Sequence, residues 1–149
     1  MGYSLRAFIG PADALLPLAA AYPVAVRVAL AQGLCLIPLT DELYDAVVNG
    51  VESDAIAPFS FMTTLLEQQV RSHIGLVAVG YLEADYFGGH GQQAALCWQN
   101  GQRQVWGPNQ GAINALLAQL GVITARGHQD AFEAVGLGQH RHLEDWVPE

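Results

Sequence analysis

The sequence predicts an α+β fold in which about four helices cover a mainly antiparallel sheet in two layers. Three observations support this prediction. Strand-like apolar segments are interspersed with helical patterns, Asn100-Gly101 is a dipeptide typical of two-residue β-hairpins, and 52% of the 149 residues are hydrophobic. The chain contains neither an internal repeat nor a linker-like segment. We therefore expect a single globular domain spanning residues 1–149.

The first elements follow from apolar runs and a proline. Residues 3–9 form a strand-like segment that opens the domain. Pro11 suits the first turn of a helix that runs to about Ala21, with Asp13 favourable near its positive end. The stretch VAVRVALAQGLCLIPLT then predicts two apolar strands with a turn near Gln32-Gly33.

Two helices are predicted in the middle of the chain. Thr40 or Asp41 can cap the first, which ends near Asn49-Gly50. The second spans about Ser60 to His73, with Gly75 as its C-cap. Apolar residues recur at the helical period in both. In the first helix they are Leu43, Ala46, Val47 and Val51, and in the second they are Met62, Leu65, Leu66 and Val70.

The second half predicts a three-strand meander near residues 76–107. A long strand begins at Leu76, and a type I′ turn at Asn100-Gly101 places Leu96 opposite Val105. A helix follows Pro108 and stops at Gly121. The remaining tail starts as a helical turn and becomes irregular after residue 136.

Composition excludes several classes of protein. The formal net charge is −8, the pI is about 4.9, and all six basic residues are arginine. Such a balance argues against a nucleic-acid binder, which needs clustered positive charge, and favours a partner with a basic surface. No apolar run reaches the roughly 18 residues that cross a bilayer. Pro11, Asp13 and Pro17 interrupt any signal-peptide core, so we expect a cytoplasmic protein. Cys35 and Cys97 are expected to be buried thiols.

The stretch from Tyr81 to Trp98 carries the densest set of polar and aromatic residues. On a strand, Glu83, Asp85 and Phe87 share one face with Val77, Val79 and Tyr81. The opposite face, with Leu82 and Ala84, is expected to be the core face. Two adjacent carboxylates can serve acid–base chemistry, but a solvated or partner-facing strip is the interpretation that we favour.

The glycine-rich segment FGGHG could present backbone N–H groups to a phosphate. Phosphate cradles usually open a helix behind a strand and include a basic residue, and neither feature is found here. We therefore expect a wide hairpin loop with an exposed His90 at its tip. A Cys97–His90 dyad would require an unusual hairpin, and the chain has no Gly-x-Ser-x-Gly motif.

The spacing His140-x-His142 permits a zinc site, with His90 as a possible third ligand. His-x-His also occurs freely in polar tails. We expect no metal and no cofactor, and a small metal-binding protein or metal-dependent enzyme using this pair is the alternative hypothesis.

Four segments carry a resemblance to known proteins: GYSLRAFIG (2–10), LIPLTDELYDAV (36–47), EADYFGGHGQQAALCW (83–98) and FEAVGLGQHRHLEDW (132–146). On these segments the chain resembles a family of small uncharacterised bacterial proteins. In genome context and size, such proteins are also similar, at the level of class, to immunity proteins of bacterial toxin systems. The resemblance implies a compact bacterial domain and transfers no catalytic residue.

The sequence therefore predicts a non-enzymatic binding protein, an immunity protein that blocks the active site of a cognate toxin or of another protein with a basic surface. We expect neither a nucleic acid nor a membrane as its partner. The acidic tail Glu144-Asp145-Trp146 should supply a second contact with the partner. We also expect Trp146 to pack back on the domain and Arg141 to pair with a carboxylate. The predicted partner-binding residues are Glu83, Asp85, Phe87, His90, Glu144, Asp145 and Trp146.

Overall fold

A computed structural model describes residues 2–87, 90–124 and 126–147. Within these ranges the chain forms one antiparallel sheet, five α-helices and three short 3₁₀ turns. The strands are β1 (Tyr3–Pro11), β2 (Val28–Ala29), β3 (Leu34–Pro38), β4 (Val79–Phe87), β5 (His90–Gln99) and β6 (Gln102–Asn109). The helices are α1 (Ala12–Ala21), α2 (Asp41–Val48), α3 (Thr64–Arg71), α4 (Ala112–Gln119) and α5 (Ala131–Val135).

The sheet has the order β2-β3-β1-β4-β5-β6. Its second half is the meander that the sequence predicts, and its central strand β1 pairs with both β3 and β4. Asn100 and Gly101 have φ values of 53° and 77°, as a type I′ turn requires. Gln99 consequently faces Gln102, and Leu96 faces Val105. The predicted α+β fold and hairpin register are both confirmed.

Helices cover both faces of the sheet, so the domain has three layers where the sequence predicted two. The physical reason is that β1 and β4 carry apolar residues at consecutive positions, and consecutive side chains point to opposite faces. Phe8 and Tyr81 belong to one core, whereas Ile9 and Leu82 belong to the other, and all four are 0% exposed. We call the Tyr81 side the front face, which α1, α2 and α3 cover. The back face is covered by α4, α5 and the tail.

The two central helices differ in how well the sequence located them. Thr40 caps α2, because its Oγ1 accepts a 3.1 Å hydrogen bond from the Leu43 N–H. The predicted start of the next helix at Ser60 is wrong. Thr63 caps α3, so helical structure begins at Thr64.

Smaller corrections concern helix faces and ends. The cap of α3 is Ser72, so Gly75 lies beyond it. In and after α2, Ala46 and Val51 are exposed although they fit the apolar period. Val48 is buried in their place, together with Leu43 and Val47.

The tail packs on the back face. Gly136 ends α5 with a positive φ of 94°, and Trp146 is only 4% exposed within the back core, as predicted. The predicted ion pair of Arg141 is wrong, because no carboxylate of the described residues lies within salt-bridge distance. Its backbone carbonyl instead accepts a 2.7 Å hydrogen bond from the Ser4 N–H. The guanidinium stays in water, where an ion pair would contribute little.

Cys35 and Cys97 are buried, as predicted, and burial raises the pKa of both thiols. Across the described ranges, each helix is too short or too polar to cross a bilayer.

Candidate partner-binding groove

On the front face, paired residues of β1, β4 and β5 form rows that run across the strands. Paired positions of antiparallel strands point to the same face, and successive rows on one face are about 7 Å apart. The first row belongs to the core, and the next three rows become progressively more exposed. The rows are Phe8–Tyr81–Leu96, Arg6–Glu83–Ala94, Ser4–Asp85–Gln92 and Phe87–His90.

A groove of about 500 Å³ lies where these rows emerge from the core. Residues 58–61, which we call the cover loop, form one wall. The Ser4–Asp85–Gln92 row forms much of the floor, and the lining also includes Leu143 of the tail and Pro108 of β6. The groove is therefore built from the ends of several strands, a loop and the tail.

Glu83 holds the cover loop against the sheet. Its Oε1 accepts a 2.7 Å hydrogen bond from the Ser60 N–H, and its Oε2 accepts one of 2.9 Å from the Phe61 N–H. The Tyr81 hydroxyl donates a third, of 2.6 Å, to Oε2. With three donors on its two oxygens, the Glu83 carboxylate is occupied by the fold.

Tyr81 supports this arrangement from below. Its ring is 0% exposed and packs against Phe8 and Phe59, at centroid distances of 5.2 and 5.6 Å. Burial, and then the negative charge and hydrogen bond of Glu83, raise the pKa of Tyr81 well above its ordinary value. Tyr81 therefore remains a protonated donor throughout the neutral range.

Among the described residues that line the groove, Arg6 carries the positive charge, and Asp41 pairs with it. Its Nη2 lies 2.7 Å from Oδ1 of Asp41, and its Nε donates a 2.8 Å hydrogen bond to the Leu39 carbonyl. The Phe61 ring covers the guanidinium, with 4.1 Å between Cζ and the ring centroid. Arg6 therefore braces the cover loop and α2 against β1, and it forms no salt bridge with the Asp85 carboxylate of the floor.

Asp85, Phe87 and His90 are exposed on the front face, where the sequence placed them together. Within the described part of the chain, the Asp85 carboxylate makes no hydrogen bond or salt bridge, and the Phe87 side chain is 80% exposed. Phe87 pairs with His90, so the segment FGGHG joins two antiparallel strands, as predicted. The predicted wide loop with His90 at its tip is wrong, because β4 runs to Phe87 and His90 is already the first residue of β5. Gly88 and Gly89 lie outside the described residues.

The tail meets the same groove. Leu143 lines it, and Nδ1 of His142 lies 3.4 Å from Oγ of Ser4 on its floor. Glu144 and Asp145 follow directly and are exposed. Trp146 is different, because a side chain that is 4% exposed cannot serve as the predicted surface contact. The acidic face of β4 (Glu83, Asp85 and Phe87) and the acidic tail (Glu144 and Asp145), which the sequence predicted as two contacts, are thus neighbours.

The three histidines of the alternative metal hypothesis have different surroundings. His140 packs edge-on against Trp146 at a centroid distance of 4.7 Å, whereas His142 contacts Ser4 and His90 pairs with Phe87. Among the described residues, no three His, Cys, Asp or Glu side chains are grouped closely enough to hold a metal ion.

Sequence reasoning missed the residues that complete the groove. Ser4 and Arg6 alternate with Leu5 and Ala7, a period of two that identifies a polar end on one face of β1. Pairing this polar end of β1 with the acidic end of β4 identifies both residues as neighbours of Glu83 and Asp85. The contribution of Ser60 and Phe61 has no comparable signal, because it depends on a contact with a residue 22 or 23 positions away.

Comparison with known proteins adds no relative to this description: no family model, curated protein or solved structure matches the chain. The resemblance to bacterial proteins and to immunity proteins stays a prediction.

Proposed function

We propose that this chain is a non-enzymatic binding protein, and that it acts as an immunity protein that neutralises a toxin by covering its basic active site. The proposed compartment is the bacterial cytoplasm. One observation carries the proposal: of the two adjacent carboxylates on the front face, Glu83 is occupied by three internal donors and Asp85 is exposed. This difference supports a structural role for Glu83 and a partner-binding role for Asp85, in preference to an acid–base dyad.

Charge and shape support the same proposal. The chain has a net charge of −8, and the exposed acids Asp85, Glu144 and Asp145 lie on the groove floor or directly after its Leu143 wall. Phe61 and Phe87 are 41% and 80% exposed on the same face. Interfaces commonly combine aromatic anchors with complementary charge, which speeds association and selects partners.

A protection assay tests the proposed function. The product of the gene adjacent to this one is expressed from an inducible promoter in a sensitive bacterium, with and without the chain. We expect growth arrest alone, growth when the chain is co-expressed, and a complex at micromolar concentration or below. An adjacent product that is harmless, or that neither binds the chain nor is neutralised by it, would contradict the immunity role.

A double variant locates the interaction in the same assay. Asp85→Asn with Phe87→Ala should reduce protection, because both side chains project from the groove end of the front face. The matched control is Asp13→Asn with Ile123→Ala. Asp13 and Ile123 are also exposed, and they lie outside the groove lining.

A further inference from the structure

The Asp85 carboxylate on the floor of the groove has no charge partner among the described residues. Asp85 stands between Ser4 and Gln92, whose side chains are neutral, and no described residue donates a hydrogen bond to it. Arg6, the single cation among the described residues that line the groove, is engaged by Asp41 and by the Leu39 carbonyl. A ligand that enters the groove therefore meets a net negative charge.

Aromatic residues accompany the rows on either side of the Asp85 row: Phe61 lines the groove, and Phe87 lies just outside its lining. Phe61 covers Arg6 one row nearer the core, and Phe87 stands one row farther out on β4. Each row step is about 7 Å. An aromatic face attracts a cation and also the apolar stem of a long basic side chain.

The size of the groove fits more than one side chain. Its volume of about 500 Å³ lies in the range of sites that enclose small ligands, roughly 300–1,000 Å³. It extends from the tail at Leu143 to the β6 residue Pro108, crossing the strand ends. A short extended peptide segment can lie in such a groove and present one side chain to the floor.

We propose that the groove binds an exposed basic segment of a partner protein, with one arginine or lysine side chain seated on Asp85 between Phe61 and Phe87. The inference rests on the proposed binding function and names the chemistry of its partner. A guanidinium on a carboxylate forms two parallel charge-assisted hydrogen bonds, and Gln92 and Ser4 offer further polar groups on the same row. Glu83 positions the cover loop and does not contact the ligand.

Peptide selection on the full chain tests this assignment. A random heptapeptide phage library is selected for binding to the chain, and the recovered peptides are synthesised for affinity measurements. We expect them to contain arginine or lysine. Replacing the critical arginine by citrulline, which is neutral and nearly isosteric, should weaken binding at least tenfold. Amide NMR shifts should change at Ser4, Phe61, Asp85 and Gln92.

Asp85→Asn should weaken the same peptides about tenfold, which corresponds to about 1.4 kcal/mol. Asp13→Asn removes the same charge beyond the other end of β1 and should leave the affinity unchanged. Failure to select cationic peptides, NMR changes confined to other surfaces, or full affinity in Asp85→Asn would each overturn the inference. A cognate toxin that binds Asp85→Asn as tightly as the wild type would overturn it too, while the proposed function would stand.

Discussion

The hydroxyl of Tyr81 donates a 2.6 Å hydrogen bond to the carboxylate of Glu83, two residues farther along β4. This contact joins the front core to the groove, because the same carboxylate holds the backbone of Ser60 and Phe61. The fold thus uses one acid of the strip for structure, and the neighbouring Asp85 is exposed to a partner.

Glu83→Ala should destabilise the domain. The substitution leaves the buried Tyr81 hydroxyl without its acceptor and releases two N–H groups of the cover loop, which together cost about 2–3 kcal/mol. In a domain of this size the melting temperature should fall by roughly 4–10 °C. Thermal denaturation followed by circular dichroism measures the change. Asp85→Asn is the control and should stay within about 0.5 kcal/mol of the wild type; equal stability of Glu83→Ala and Asp85→Asn would refute the structural role of Glu83.

Stability should fall in alkaline solution. The pKa of Tyr81 in the folded chain is raised above the ordinary 10.0. Between pH 10 and the higher pKa of Tyr81 in the folded chain, the unfolded chain releases the tyrosine proton and the folded chain keeps it. The contribution of the protonated Tyr81 hydroxyl to the free energy of unfolding is therefore complete below pH 10. It is lost as pH rises above 10, by up to about 1.4 kcal/mol per pH unit.

The measurement is urea unfolding at a series of pH values. Burial also raises the pKa of Tyr3, which adds to the same loss of stability. The buried thiols of Cys35 and Cys97 begin to contribute to the loss near pH 9. Tyr81→Phe should make the slope above pH 10 shallower by up to one tyrosine's share. An identical slope in the variant would show that Tyr81 does not contribute.

Trp146 should stabilise the domain through packing alone. Trp146→Ala removes a buried indole and should cost about 3–5 kcal/mol, or roughly 6–20 °C in melting temperature. Trp146→Phe should cost less than half as much, because the buried Nε1–H has no acceptor among the described residues and no hydrogen bond is lost. The exposed Glu144 provides the control Glu144→Ala. A Phe variant as unstable as the Ala variant would indicate a missing polar partner.

Two glycines of the meander should respond very differently to alanine. At Gly101, with φ of 77°, an added Cβ meets no atom within 4 Å, so Gly101→Ala should cost only the left-handed strain of about 1–2 kcal/mol. At Gly91 a Cβ would lie 2.0 Å from the Asp85 carbonyl oxygen. Gly91→Ala should therefore destabilise the groove end of the hairpin by several times as much. Chemical denaturation compares the two, and similar losses would contradict the pairing of Gly91 in β5 with Tyr86 in β4.

Local signals located much of the fold. Asn100-Gly101 specified both a turn type and a register, and Thr40 specified a helix start, because each depends on neighbours in sequence. The alternation in β4 placed Glu83, Asp85 and Phe87 on one face for the same reason.

Long-range contacts could not be read in this way. The start of α3 was misplaced because Ser60 and Phe61 give their N–H groups to Glu83 instead of to a helix. The second core was missed because consecutive apolar residues in β1 and β4 were assigned to one buried face. The meeting of the tail with the strip depends on a hydrogen bond between Ser4 and Arg141, 137 positions apart.

The most direct test of the groove is the affinity of Asp85→Asn for the product of the adjacent gene, measured by isothermal titration beside the wild type and Asp13→Asn. If Asp85 is the contact carboxylate, Asp85→Asn melts as the wild type does and binds about tenfold more weakly, with the affinity of Asp13→Asn unchanged. Unchanged affinity in Asp85→Asn, with the fold intact, would contradict the assignment of Asp85 as the contact carboxylate.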